Sequence, residues 1–276
     1  MRVFISVDME GVSGVCTEQQ TSLTGDRYRE ACALMRADLD AAVGGCLAAG
    51  ATGIVVCDAH DEGSNLSTDA LPVQATLASG GSGPLSMMTG IDETFDAALF
   101  VGYHAMSGTR AAVLEHTYVY KIVSVSCDGR ELGETALNAG VAGALGVPVV
   151  FVSGDDKTAA EAQALLPGVE TAIVKDGLHR SSAVFRPPDL ARTLIREGVQ
   201  RALGADSRLK PLRWPGAPLV VTFARTHFCD AASTGPGARR LDGLSIEVSG
   251  SDYLEVFRHF IACVGLAGTA GAPRFE

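Results

Sequence analysis

Short apolar segments alternate with longer amphipathic segments along most of this chain, and this alternation constrains its fold more than any other feature. Three apolar runs, residues 3–7, 53–57 and 97–103, have the length and composition of buried strands. Residues 27–49 carry apolar side chains at helical spacing and are followed by Gly50, a common helix stop. Strands that alternate with helices form three layers, with helices on both faces of a sheet. The sequence therefore predicts an α/β fold, a three-layer α/β/α arrangement with a mostly parallel, mixed sheet.

The alternation continues toward the C-terminus. Further strands are predicted at 147–152, 171–174, 219–223 and 244–248, with helices at 158–166, 189–203 and 253–266. A proline-containing bridge at 210–218 is the best candidate boundary between a larger α/β domain, 1–209, and a smaller C-terminal α/β portion, 210–276. A single domain is the alternative. Residues 63–94 are rich in turn residues and are predicted to decorate the surface or cover a site.

Charge and cysteine content exclude several classes of partner. The chain has 22 Lys and Arg against 32 Asp and Glu, a net charge of −10, and no basic run. This balance argues against nucleic acid and anionic membranes as partners. Its seven cysteines are scattered, without a Cys-x-x-Cys pair, which argues against a disulfide framework or a thiolate zinc site. The apolar run before Asp8 is too short for a secretory signal, so we expect a cytoplasmic protein.

Side chains that can bind a metal follow each of the first three predicted strands. Asp8 and Glu10 follow the first strand, His60 the second and His104 the third. Because neighbouring parallel strands end at the same edge of a sheet, these side chains are predicted to lie close together. Glu134, which opens a later predicted helix, is the fifth candidate.

Three carboxylates and two histidines are a donor mixture that suits Zn²⁺. They exceed what one catalytic zinc needs and fit a two-metal site, whose bridging hydroxide attacks an amide or ester carbonyl.

Each residue also has an ordinary alternative role. Asp8 and Glu10 can end a strand and begin a turn, and a lone histidine is usually structural. Glu134 can face a helix dipole, and His116 can be a plain strand residue. Three separate predicted strands each end in a side chain that can bind a metal, and this coincidence favours a metal-dependent hydrolase.

The motifs that carry these residues resemble the D-aminopeptidase family of zinc peptidases, peptidase family M55. The matching stretches are residues 6–14, 58–60, 102–105, 115–116, 133–139 and 152–156, with short matches at 174–175 and 180–181. The resemblance implies two Zn²⁺ per subunit, bridged by Asp8. By the same resemblance, Glu10 and His104 complete one ion, whereas His60 and Glu134 complete the other. His116 matches the catalytic histidine of the family.

The resemblance also implies an activity and an assembly. The expected reaction is release of an N-terminal D-residue, such as D-Ala, from short peptides or amides. The expected assembly is a homo-oligomer, a decamer of two stacked rings with enclosed active sites. One alternative is an L-aminopeptidase, amidase or esterase on the same scaffold, and another is a peptide-binding, transport-associated protein with structural metal. Lys175 and Arg180 are candidates for binding a substrate carboxylate, or are surface charges.

Overall fold

Two β-sheets and the helices around them form the computed structural model, which describes residues 1–80, 83–204, 209–214 and 217–271. The strands are β1 (Arg2–Val7), β2 (Gly53–Asp58), β3 (Ala75–Ala78), β4 (Ala97–Val101), β5 (Ile122–Cys127), β6 (Arg130–Glu131), β7 (Val149–Asp155), β8 (Glu170–His179), β9 (Ser182–Phe185), β10 (Leu219–Phe223), β11 (Ala238–Arg240) and β12 (Ser245–Val248). The helices are α1 (Glu18–Thr21), α2 (Tyr28–Ala48), α3 (Glu134–Ala144), α4 (Asp156–Leu165), α5 (Pro188–Ala202), α6 (Thr226–Ala232) and α7 (Tyr253–Thr269), with a short 3₁₀ helix at Ser86–Met88.

The larger sheet has seven strands in the order β3-β2-β1-β4-β7-β8-β9. All its pairings are parallel except that of β9, which runs antiparallel to β8. The chain moves from β1 toward β3 and then returns to the other side of β1 to build β4 and the strands beyond it. This reversal places a crevice between the carboxyl ends of β1 and β4, where open α/β sheets bind ligands.

Alternate residues of the central strands face two different cores. In β1, Val3 and Ile5 pack in the core formed with α2 and α5, whereas Phe4 packs in the core that contains α3 and α4. Such strands, buried on both faces, consist of continuous apolar residues, as the sequence does here. The three-layer α/β/α arrangement with a mostly parallel, mixed sheet is therefore confirmed.

The smaller sheet is antiparallel and has the order β11-β12-β10-β5-β6. It packs, together with α7, in the same core as α3 and α4. Within this sheet β5, which precedes the domain boundary predicted at 209/210, pairs with β10, which follows it. The division into two domains stays a prediction. Residues 215 and 216 of the predicted bridge lie outside the described residues.

Several short elements have no counterpart in the sequence prediction. The turn-rich segment 63–94 contains β3 and the 3₁₀ helix, and α6 and β11 lie where only a loop was expected. Elements of three to seven residues are too short for a periodic pattern, so tertiary pairing decides them. In the part of the chain that the structure describes, no helix has both the length and the apolar character needed to cross a membrane.

Two glycines bring the loops that follow β1 and β4 into contact. The N–H of Gly11 donates to the carbonyl of Gly102 at 2.8 Å, and the N–H of Asp8 donates to the carbonyl of Val101 at 2.8 Å. A Cβ at Gly11 would collide with the carbonyl oxygen of Tyr103. Gly102 has φ +70°, a conformation that favours glycine. Close approach of these loops therefore depends on residues without side chains.

We expect Gly11→Ala to destabilise the metal-free protein by about 1–3 kcal/mol, because the added methyl forces the two loops apart. Gly44→Ala, in the interior of α2, is the matched control, since among the described residues its Cβ would meet only the side chain of Arg196, at 3.9 Å. That change should stabilise the protein by up to about 1 kcal/mol through helix propensity. Urea unfolding of both variants measures the difference. Equal stability of Gly11→Ala and the wild type would contradict the argument.

Candidate metal centre

The structure brings together all five side chains that were predicted as metal ligands. Asp8 and Glu10 lie in the loop after β1, His60 in the loop after β2, and His104 in the loop after β4. Glu134 is the first residue of α3 and approaches from the adjacent layer. The three carboxylates are each 3 % exposed, and the two histidines no more than 7 %. The residues thus form a buried cluster at the crevice between β1 and β4.

One half of the cluster forms around His60. Its Nδ1 lies 3.3 Å from Oδ1 of Asp8 and 3.1 Å from Oε2 of Glu10. Its Nε2 donates to the carbonyl of Thr21 at 2.7 Å. A carbonyl can only accept, so this bond leaves Nδ1 directed at the two carboxylates.

The other half forms around His104. Its Nε2 lies 3.5 Å from Oδ2 of Asp8 and 3.4 Å from Oε2 of Glu134, while its Nδ1 donates to the carbonyl of Ala105 at 3.0 Å. Asp8 therefore faces both histidines, one with each carboxylate oxygen. This position suits the bridging role expected of Asp8, which stays a prediction together with the partition of the other ligands.

His116 lies in the long loop between β4 and β5 and stacks on His104, with ring centroids 4.1 Å apart. Its Nδ1 donates to the carbonyl of Leu114 at 2.9 Å, and its Nε2 lies 3.7 Å from Oε1 of Glu134. Burial, followed by the neighbouring His104, lowers the pKa of His116. All three histidines thus use one nitrogen to bond a main-chain carbonyl and direct the other at the carboxylates, as metal-binding histidines do.

The possible metal-binding atoms of the cluster do not satisfy one another by hydrogen bonds. Among the described residues, Oδ2 of Asp8, Oε2 of Glu10 and Nε2 of His104 are buried without a hydrogen bond. Oε2 of Glu10 is near His60, but outside hydrogen-bonding geometry. Donor atoms of Asp8, Glu10 and His104 all lie within 4.8 Å of one another, and so do those of His104, His116 and Glu134. Buried polar atoms without partners are unfavourable, and cations between them would satisfy all of them.

Without a cation, protons balance the charge of the carboxylates. Burial, followed by repulsion from Glu10, raises the pKa of Asp8 to about 7. Burial also opposes the charged form of Glu10, but the adjacent His60 holds the pKa of Glu10 well below its usual range. Burial lowers the pKa of His60 and of His104, yet the facing carboxylates outweigh it, and both pKa values lie well above the usual value.

Lys175 holds the loop that carries Glu10. It is completely buried, and its Nζ donates to the carbonyls of Glu10 at 2.5 Å, Val12 at 3.0 Å and Val15 at 2.6 Å. Burial lowers its pKa to about 8. Neither expectation for Lys175, a substrate carboxylate ligand or a surface charge, is correct, because all three of its donors bond the main chain.

Arg180, the other basic candidate, is already paired with acidic residues. Its Nη1 donates to the side chain and the carbonyl of Glu115, both at 2.5 Å, and its Nη2 lies 3.5 Å from Glu18. The guanidinium also lies over the ring of Tyr120, 4.8 Å from the centroid. Tyr120 in turn contacts His116 edge-on, with centroids 4.8 Å apart. Arg180 therefore supports the aromatic stack at His116.

Sequence reasoning missed a buried hydrogen-bond chain beneath the cluster. The Tyr118 hydroxyl donates to Oδ1 of Asn138 at 2.7 Å, and Nδ2 of Asn138 donates to the Tyr103 hydroxyl at 3.0 Å. The Tyr103 hydroxyl then donates to Oγ of Ser6 at 2.7 Å. The Tyr118 N–H also donates to Oε1 of Glu134 at 2.6 Å. Tyr103 directly precedes the predicted ligand His104, and Asn138 lies one helical turn after Glu134 in α3, which is the signal that could have identified them.

A cleft of about 570 Å³ opens onto the cluster, and Asp8, Glu10, His60, His116 and Glu134 are among the residues that line it. This volume is within the range of sites for small molecules and suits a short substrate. The buried carboxylates and imidazoles at the switch point of an α/β sheet, open to such a cleft, define a metal-dependent hydrolase.

Comparison with known proteins identifies the family. A family model described as D-aminopeptidase, peptidase M55, matches residues 1–262. A D-aminopeptidase of Bacillus subtilis (strain 168) is 34% identical over 269 residues, 97% of this chain and 98% of that protein. The solved structure of the Zn-dependent D-aminopeptidase DppA from Bacillus subtilis, described as a self-compartmentalizing protease, has a TM-score of 0.95 and 32% identity, covering 99% of this chain and 100% of its own. This chain therefore belongs to the D-aminopeptidase family, peptidase family M55, and is a metallo-aminopeptidase.

We expect Zn²⁺ to bind the metal-free protein more tightly as the pH rises from 6 to 8. His60 and His104 hold protons at neutral pH because their pKa values are raised, and a cation must displace those protons. Each displaced proton makes affinity rise about tenfold per pH unit. Competition with a chromogenic chelator measures the affinity, and calorimetry in two buffers counts the protons. His179→Gln, at an exposed position, should show the same dependence, whereas affinity that is constant with pH would contradict the prediction.

Proposed function

We propose that this protein is a zinc-dependent aminopeptidase that releases an N-terminal D-residue, such as D-Ala, from short peptides or amides. The observation that carries this proposal is the convergence of Asp8, Glu10, His60, His104 and Glu134 in one buried cluster, in a chain of the D-aminopeptidase family. The zinc dependence and substrate of the Bacillus subtilis proteins support the choice of metal and of a D-residue.

In this proposal the cluster holds two zinc ions per subunit. Asp8 would be the ligand that both ions share, Glu10 and His104 would complete one site, and His60 and Glu134 would complete the other. When bound, zinc would lower the pKa of a bridging water, so that a hydroxide could serve as the nucleophile, and would polarise the scissile carbonyl. The chain itself orients the ligands, through the carbonyls that fix the two histidines and the Tyr118 N–H that fixes Glu134.

His116 is proposed as the residue that moves the proton. Its Nδ1–H is fixed by the carbonyl of Leu114, so its Nε2 is free to accept a proton beside Glu134 in the cleft. It takes the proton of the nucleophilic water and delivers it to the nitrogen of the leaving amine as the C–N bond breaks. The products are the free N-terminal amino acid and a shortened peptide or amine.

We also propose that the protein is a cytoplasmic homo-oligomer, a decamer of two stacked rings. The description of the Bacillus subtilis structure as self-compartmentalizing supports an assembly that admits only short peptides to enclosed sites. The cleft, which suits a small substrate, agrees with this restriction.

The deciding experiment compares D- and L-alaninamide and D-Ala-D-Ala as substrates, before and after removal of metal. We expect hydrolysis of the D-substrates, loss of activity on dialysis against a chelator with the fold retained, and recovery when Zn²⁺ is restored to two per chain. Exclusive hydrolysis of the L-amide would support an L-aminopeptidase on the same scaffold instead. Loss of fold with no activity at any stage would indicate a structural metal in a peptide-binding protein.

His116→Ala should retain two zinc ions per chain and lower kcat by about 10²–10⁴, the usual contribution of a general acid or base. His60→Ala is the matched control, because removal of a metal ligand should lower the zinc content as well as the activity. Metal analysis and steady-state kinetics distinguish the two variants. If His116→Ala also loses zinc, His116 acts as a ligand with His104 and Glu134, and the proposed proton transfer is wrong.

A further inference from the structure

Helix α7 reaches the cluster, although it comes from the far end of the chain. The ring of Tyr118, whose N–H donates to Glu134, contacts Phe257 and Phe260 of α7 edge-on, with centroids 6.2 and 5.3 Å away. The hydroxyl of Tyr253, at the start of α7, donates to the carbonyl of Leu137 at 2.9 Å. These contacts fix α7 against α3 and place its following turn beside the cleft.

That turn supplies part of the cleft wall through Ile261, Val264 and Gly265. Residues spaced by three and four lie on one face of a helix, so the three positions form a continuous patch. Two of them present apolar side chains and the third presents none. The patch is therefore an apolar surface with a gap at Gly265.

Gly265 has no role in the fold that explains its lack of a side chain. A Cβ at this position would have no neighbour within 4 Å among the residues that the structure describes, and the φ of Gly265 lies outside the positive range that favours glycine. A Cβ at Gly143, by contrast, would collide with the carbonyl of Leu212. Glycine weakens a helix relative to other residues except proline. Open space at Gly265 is thus a property of the cleft and not a requirement of packing.

The position of the cluster indicates which residue of a peptide lies against α7. Asp8, Glu10 and Glu134 of the cluster line the same cleft as the patch on α7. In the proposed reaction the bond cleaved at the cluster is the one that follows the N-terminal residue. The N-terminal residue is therefore the one whose side chain meets the apolar patch.

We propose that Gly265 is a specificity-determining residue, whose open space admits N-terminal residues with apolar side chains larger than that of alanine. This inference rests on the proposed aminopeptidase function and names the class of residue that the enzyme accepts. The methyl group of D-Ala leaves the space above Gly265 unused. A leucine-sized or phenylalanine-sized side chain occupies it and contacts Ile261 and Val264.

The test compares Gly265→Leu with the wild type on D-alaninamide, D-leucinamide and D-phenylalaninamide, which share one leaving group. In the variant, kcat/KM for the two larger substrates should fall at least about tenfold relative to D-alaninamide, because a filled pocket rejects added bulk. The loss should appear mainly in KM. Because the readout is a ratio between substrates, it does not depend on the fraction of active protein. Gly265→Ala should shift the ratio in the same direction by less, and should raise the melting temperature.

Gly268→Leu is the matched control, since Gly268 is also in α7 with open space around its Cβ but does not line the cleft. It should leave the substrate ratio unchanged. The proposal is overturned if Gly265→Leu lowers kcat/KM for all three substrates equally, or if Gly268→Leu gives the same shift in the substrate ratio. It is also overturned if Gly265→Leu changes the mass of the assembly, because the loss of activity then comes from altered assembly. If the wild type hydrolyses these amides and the substrate ratio is unchanged in Gly265→Leu, the role of Gly265 is wrong but the aminopeptidase function is retained. A wild type that hydrolyses none of them defeats both proposals.

Discussion

Repulsion among three buried carboxylates is the constraint on which the rest of this structure depends. Two like charges about 4 Å apart near a protein surface repel by about 4 kcal/mol, and burial increases the penalty. Asp8, Glu10 and Glu134 can lie together only when this repulsion is relieved, either by protons on Asp8, His60 and His104 or by cations. The raised pKa values of Asp8, His60 and His104 favour the first solution when no metal is bound. The unpartnered oxygens show that it is incomplete, and a pair of divalent ions would complete it.

The scaffold must hold this unfavourable arrangement by other contacts. Gly11 and Gly102 allow the loops after β1 and β4 to touch, and the buried ammonium of Lys175 draws the carbonyls of Glu10, Val12 and Val15 together. Each of these contacts acts on the main chain and leaves the carboxylates free. Removal of Lys175 would leave the carbonyls of Glu10 and Val15 unpaired, because among the described residues only that of Val12 has a second donor, the N–H of Val15, and an unpaired buried carbonyl is more costly than the loss of an ordinary hydrogen bond. These contacts, which hold the loop with Asp8 and Glu10, therefore do not involve the carboxylates of the cluster.

The sequence was sufficient for the central strands β1, β2, β4, β7 and β8 of the larger sheet and for the grouping of Asp8, His60 and His104, because both follow from local patterns. Strand ends were visible as apolar runs that stop at polar residues, and parallel pairing places such ends at one edge. The antiparallel sheet, the burial of Lys175 and the cleft wall from α7 could not be predicted. Each depends on pairing between segments far apart in the sequence, such as β5 with β10, and no local pattern encodes which distant segment is the partner.

The same long-range contacts connect recognition to chemistry. In the loop that carries His116, Leu114 and Tyr118 have φ of +52° and +62°, values that are unfavourable for residues with side chains. Contacts outside the loop maintain this conformation, since the N–H of Leu114 donates to the carbonyl of Arg180 and the ring of Tyr118 packs on Phe257 and Phe260. Tyr118 in turn bonds Glu134. Helix α7 therefore supports Glu134, a proposed metal ligand, through one turn and lines the cleft with the next, so a displacement of α7 would change the shape of the cleft and the position of Glu134 together.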